Sequence, residues 1–301
     1  MIHTLLLTVG DDFWSSIFNF DNYGELLVLL RNSIIAGAIL GIVGGLISVF
    51  VMARDMAFAV HGISELSFAG ASAGLLLGVG VVEGSLVGSL VAALLIGVLG
   101  VRARDRNSII AVLMPFGLGL GILCLALYSG RASNKFGLLT GQIVAVDNPR
   151  LNSLIVICVI VVIGLLVSWR PLLFASTDPQ VAAGRGVPVG IVSLVFMVLL
   201  GLTVAVSVQI VGSLLVLAIL VTPAAAALRV SSSPVVVPLL SMAFGVTAMV
   251  GGIMIALGTS IPISPYVTTI SFLIYVVCRI VGAGRERRGW AGRQPAAMLT
   301  R

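Results

Sequence analysis

Residues 31–80 read RNSIIAGAIL GIVGGLISVF VMARDMAFAV HGISELSFAG ASAGLLLGVG. Two apolar runs, 31–53 and 57–80, flank the polar turn Arg54-Asp55. A helix of about 20 apolar residues crosses a hydrocarbon core of about 30 Å, and each run has that length. Lipid offers no partner for backbone N–H and C=O groups, so each crossing closes its own hydrogen bonds as a helix. The stretch therefore predicts a membrane-spanning helical hairpin.

Its second arm carries His61 and Glu65. Glu65 lies eleven residues past Arg54, about 16 Å of helix, which places it near the middle of the membrane. A charged carboxylate facing lipid there costs at least about 2.5–3.5 kcal/mol. Glu65 is thus expected to face protein or water, or to be neutralised. Positions 61, 64, 65, 68 and 72 share one helical stripe and read His61, Ser64, Glu65, Phe68 and Ser72. Imidazole and carboxylate at i, i+4 converge on one point, with a donor set that suits zinc, manganese or iron. Three readings stand open: a transit site for a divalent metal, a structural ion pair, and a proton relay. One helix supplies only two ligands, and a two-fold copy would supply four.

The rest of the chain has the same character. Hydrophobic residues make up 59% and charged residues 9% of 301, with a mean hydropathy of +1.21. Soluble domains are about 25% charged. Candidate spans are 31–53, 57–80, 84–101, 108–130, 151–169, 188–206, 209–228, 235–257 and 264–284. The sixth and seventh are nearly continuous, so the region holds either two spans or one span and a broken helix, nine or eight in all. Small residues Ala36, Gly37, Ala38, Gly41, Gly44, Gly45 and Ser48 in the first span allow close helix packing. The chain divides into 1–30, an extracytoplasmic or interfacial segment; 31–284, the membrane domain; and 285–301, a basic cytoplasmic tail. The apolar stretch 136–146 is too short to span.

The net charge is +6, carried almost entirely by arginine. Over nine spans the arginines fall in alternate connections: Arg54; Arg102, Arg104 and Arg106; Arg170 and Arg185; Arg229; then Arg285, Arg287, Arg288 and Arg293. The positive-inside rule makes that side cytoplasmic, with the N-terminus outside and the C-terminus inside. No continuous basic face for nucleic acid exists. Cys124, Cys158 and Cys278 lie in apolar runs without C-x-x-C spacing and read as small hydrophobes. The chain has no G-x-x-x-x-G-K-[ST] phosphate loop and no H-E-x-x-H motif, so no ATPase or zinc-hydrolase chemistry is expected of it.

The connection 170–187 contains Ser176-Thr177-Asp178-Pro179-Gln180. Asp as N-cap with Pro at N1 predicts a short helix that continues through Val181-Ala182-Ala183 and ends at Gly184 or Gly186. Such a cytoplasmic helix is either a docking element or a plain connector.

Four stretches together resemble the permeases of zinc/manganese/iron ABC importers. Val51 to Gly70 is similar to their basic, methionine-containing turn followed by G-D-A-I-S-H-A-x-x-P-G. Gly137 to Val146 is similar to L-F-G-x-I-L-A-V, and Leu173 to Ala182 to the coupling segment with F-D-P-E-x-A. Val208 to Val216, with Thr222-Pro223-Ala224, is similar to V-x-x-V-G-x-L-L-V…P-A. The matches run in order from about residue 31 to 280.

The resemblance implies an all-α polytopic membrane protein with the vitamin-B12-importer-like (type II) ABC permease fold. It implies a homodimer in the bacterial plasma membrane that works with a cytosolic ATP-binding cassette ATPase dimer and an extracytoplasmic metal-binding protein. It implies no permanently bound cofactor, only a transported zinc, manganese or iron ion. The family's gating Asp and His fall on His61 and Glu65, so the nitrogen and oxygen ligands are kept in reversed order; the family's Pro is Ala69. Ser64 and Ser67 are the expected support around the pair. Asp178, Pro179, Gln180, Ala182 and Gly186 are the expected ATPase-coupling residues. A secondary or proton-coupled metal transporter is the alternative.

Overall fold

A computed structural model of the chain describes residues 23–99, 103–130, 146–213, 215–257 and 262–291. Expectations for 1–22, Arg102, Arg131, Lys135, 136–145 and the end of the tail, 292–301, lie outside these residues. The described residues are helical almost throughout. Short α1 (Tyr23–Leu29) leads into α2 (Arg31–Ala53), α3 (Ala57–Leu77), α4 (Val81–Leu99) and α5 (Ala103–Leu127). Then follow α6 (Asn148–Thr177), α7 (Pro179–Gly184) and α8 (Val189–Val211). The two short helices α9 (Val216–Leu220) and α10 (Thr222–Val230) precede α11 (Val236–Ala256) and α12 (Ile263–Ala291). Eight of the described helices are long and apolar enough to cross a membrane.

One alternative is settled and one expectation is corrected. Of the two readings of 188–228, one span with a broken helix holds, and 209–228 is not one helix. Gly212 takes φ 79 and ψ 162, a conformation essentially restricted to glycine, and it stops α8. Pro223 then has no N–H to donate, and its ring disfavours helical backbone at the residue before it. The apolar stretch accordingly breaks into α9 and α10. The fifth span, expected at 151–169, extends from Asn148 to Thr177 with Pro171 inside it. Residues 170–177 are therefore helix, and the connection to α8 is confined to α7 and its flanks.

Helix α3 is the hub. It packs most extensively on α4 and α5, and also meets α8 and α9. On the α4 side a Cβ added to Gly70 or Gly84 would strike the opposite backbone, so glycine sets this close approach. The second tight pair is α2 with α11. They run antiparallel, with Gly45 beside Ser241 and Gly41 beside Gly245. Ser241 Oγ donates to the Gly45 carbonyl (2.6 Å) and lies 2.9 Å from Ser48 Oγ.

These contacts bring Arg54, Arg106, Arg185 and Arg229 to one end, while Arg31 and Arg150 begin α2 and α6 at the other. Arg54 lies beside the start of α8, Arg106 beside the Arg54 turn, and Arg185 just before α8. Because α11 starts at that end, the chain after Gly212 returns toward it through α9 and α10, and Arg229 closes α10 there. The alternation of arginines counted over nine spans survives with eight long helices because the broken segment makes a return passage.

Candidate metal-transit site on helix α3

Nothing in α3 interrupts helix formation until Gly78, whose left-handed φ of 72 ends it. Gly62 sits where α3 meets Ile96, Ile110 and Met114 of neighbouring helices, and Gly117 of α5 lies against the Glu65 backbone. Glu65 is thereby enclosed within the bundle, with 4% of its surface exposed.

His61 Nε2 and Glu65 Oε1 are 3.9 Å apart, with 28% and 5% of their side chains exposed. That separation exceeds a hydrogen bond and leaves each group short of partners. His61 Nδ1 and Glu65 Oε2 are buried with no hydrogen-bond partner. A polar atom buried without a partner is costly. The pair thus presents one nitrogen and one carboxylate oxygen that no protein group satisfies, a donor set suited to a proton or a cation. Among the described residues no cluster of three or more His, Cys, Asp or Glu side chains comes together. One chain thus offers a cation two side-chain ligands at this point.

Of the remaining stripe, Ser64 Oγ donates to the Ser213 carbonyl (3.0 Å). Ser67 Oγ lies 2.8 Å from Ser85 Oγ, which in turn donates to the Ala205 carbonyl (3.1 Å). Both serines are fully buried, and their hydroxyls join α3 to the break after α8 and to α4. Phe68 is buried near α5, and Ser72 Oγ is buried without a partner. The sequence did not single out Ser213, whose own hydroxyl is also buried and unpartnered. The available signal was Gly212 in an otherwise unbroken apolar run.

At the arginine end, α7 has the predicted construction. Asp178 Oδ1 accepts from the Gln180 and Val181 amides at 3.1 and 3.0 Å, with Pro179 at the first helical position. Gly186, φ 82, closes the helix. Its amide donates to the Ala183 carbonyl, and the Val187 amide donates to the Ala182 carbonyl, which is a Schellman cap. Ala182 is fully buried, whereas Asp178, Pro179, Gln180 and Gly186 are exposed. This small helix, held at both ends, exposes Pro179, Gln180, Val181 and Ala183 at the end of the bundle.

The chain is similar to known membrane proteins of metal transport systems. MntC, the manganese transport system membrane protein of Halalkalibacterium halodurans, is 29% identical over 225 residues, 74% of this chain and 77% of MntC. ScaB, the manganese import system permease protein of Streptococcus parasanguinis, is 29% identical over 260 residues, 86% of this chain and 92% of ScaB. The solved structure of PsaBC from Streptococcus pneumoniae in complex with Fab aligns with a TM-score of 0.75 at 27% identity, covering 83% of this chain and 90% of that one. The profile of the ABC 3 transport family matches residues 27–282, which take in α2, the His61–Glu65 helix, the capped α7 and about two-thirds of α12, and the chain belongs to that family.

Proposed function

We propose that this chain is the permease subunit of an ATP-binding cassette importer for a divalent transition-metal ion, zinc, manganese or iron, in the bacterial plasma membrane. The observation that carries the proposal is the enclosed His61–Glu65 pair, with one unpartnered nitrogen and one unpartnered oxygen, inside a member of the ABC 3 transport family. The manganese systems named for MntC and ScaB make manganese the first ion to test.

In this reading two copies meet along a two-fold axis. His61 and Glu65 from each supply two nitrogens and two carboxylates, which balance a divalent charge. The cation is the cargo, so the site holds it briefly and releases it. The arginine end faces the cytoplasm, with the N-terminus outside. A soluble protein hands over the ion at the outer face. A separate cytosolic ATPase dimer docks on α7 and shifts the bundle between two packings. Ser64 and Ser67 support the pair indirectly, by fixing the rotation of α3 through their bonds to Ser213 and Ser85.

An ATPase-independent transporter is the competing reading. The rigid, exposed α7 favours the ABC reading. The test is reconstitution of the chain in liposomes with and without its ATPase. ATP-dependent uptake of manganese, zinc or iron is expected, and uptake by the chain alone down a proton gradient would remove the ABC assignment.

A further inference from the structure

At the arginine end, away from the His61–Glu65 pair, a cavity of about 220 Å³ opens where four elements meet, Ile96 and Gly97 of α4 forming one wall. The α2–α3 turn brings Arg54 and Met56, the start of α5 brings Arg106, and the first turn of α8 brings Gly190 and Ser193, with Met197 one turn on. The volume lies below the roughly 300–1,000 Å³ of drug-sized sites, so it suits a small group.

Two cations share this space. Arg54 Nη2 donates to Ser193 Oγ (2.6 Å), and its guanidinium lies 5.6 Å from the centre of the Phe196 ring. Arg106 Nη2 donates to the Asp55 carbonyl (3.4 Å). Arg54 Nη1 and Arg106 Nε are buried with no acceptor. Among the described residues neither guanidinium is paired with a carboxylate. Burial first, and the neighbouring Arg106 second, draw the Arg54 guanidinium below its ordinary pKa. Half-buried like charges with no salt-bridged carboxylate among the described residues are costly, and the N-terminus of α8 adds the positive end of a helix dipole.

We infer that this cavity binds a phosphate group, supplied by an anionic lipid headgroup or by free phosphate. Donors come from three directions: Arg54 Nη1 and Arg106 Nε, both without an acceptor, and the N-terminus of α8 at Gly190. A free phosphate presents four oxygens and a lipid phosphodiester two charged and two ester oxygens, and guanidinium and helix N-termini are both matched to phosphate. The arginine end of a spanning bundle is also where headgroup phosphates lie, and basic pockets between helices take them. The bound group would tie together the turn that begins α3, the start of α5 and the segment leaving α7.

The test uses the full chain, purified in detergent and stripped of lipid. Binding of phosphatidylglycerol is followed by native mass spectrometry, and thermal unfolding is followed with phosphatidylglycerol or inorganic phosphate added. The wild-type chain is expected to bind phosphatidylglycerol saturably and to melt at higher temperature with it. Arg54→Gln and Arg106→Gln each weaken binding at least about tenfold, whereas Arg229→Gln, at the same end but paired with Tyr275, stays within about twofold. Equal stabilisation by inorganic phosphate, lost in the same two variants, identifies free phosphate as the source. The inference is overturned if neither ligand binds the wild-type chain saturably. It is also overturned if phosphatidylglycerol binds Arg54→Gln and Arg106→Gln as tightly as wild type, including the case in which only their hold on a partner protein changes. Should either Gln variant fail to fold, Arg54→Lys and Arg106→Lys, which keep the charge without the fork, are expected to bind more weakly than wild type, and unchanged binding counts against the site.

Discussion

Ser64 on α3 and Ser213 in the break after α8 are joined by one buried hydrogen bond, the Ser64 hydroxyl donating to the Ser213 carbonyl over 3.0 Å. The residues are 149 apart in the chain. The bond satisfies a carbonyl that the interrupted helix leaves without an intrahelical donor. It also fixes the rotation of α3 one residue before Glu65, so the break in the seventh passage and the orientation of the pair are linked.

Replacing Ser64 with alanine strands that carbonyl. Ser64→Ala should destabilise the chain by about 1–3 kcal/mol, read as a lower unfolding temperature in detergent. Ser64→Thr, which keeps the hydroxyl, should lose less. Equal melting of Ser64→Ala and wild type would mean the bond does not hold the break in place.

Gly212 occupies backbone space that side chains avoid. Gly212→Ala is expected to cost about 1–3 kcal/mol and to disturb α9. Protease sensitivity around residues 211–216 should rise, whereas Gly190→Ala, in open space, should leave the pattern as in wild type.

Asp178 caps α7 through two amides. Asp178→Ala should cost about 0.5–2 kcal/mol of local helix stability, and Asp178→Asn or Asp178→Ser should restore most of it. Hydrogen exchange across 179–186 measures this directly. The same variants should weaken pull-down of the ATPase in parallel; retention of wild-type association by Asp178→Ala would separate α7 from docking.

At the α3–α4 contact, Gly84→Val pushes a branched side chain into the Gly70 backbone. Overpacking of about 1–3 kcal/mol or more is expected, visible as loss of monodisperse protein on size exclusion. Gly119→Val, where nothing lies close, serves as the tolerated control.

Local chemistry was the legible part of this sequence. Span length followed from hydrocarbon thickness, the burial of Glu65 from the cost of a carboxylate in lipid, and the build of α7 from Asp178, Pro179 and Gly186. Apolar composition is blind to backbone conformation. For 209–228 it left a span and a broken helix both open, and Gly212 and Pro223 decide for the break; 170–177 look like a connection, yet the helix of α6 runs on through Pro171. Partners across the fold were out of reach for a different reason. Ser64 with Ser213, Ser67 with Ser85, and Arg54 with Arg106 are brought together by packing, and no local pattern encodes them.

The central claim is that His61 and Glu65 hold the cation in transit. It is tested most directly by ATP-driven manganese uptake into liposomes containing the permease with its ATPase, comparing wild type, His61→Ala and Glu65→Gln. Both variants should lose at least about 100-fold in uptake rate while still assembling with the ATPase. Uptake at wild-type rate in both variants would contradict the account.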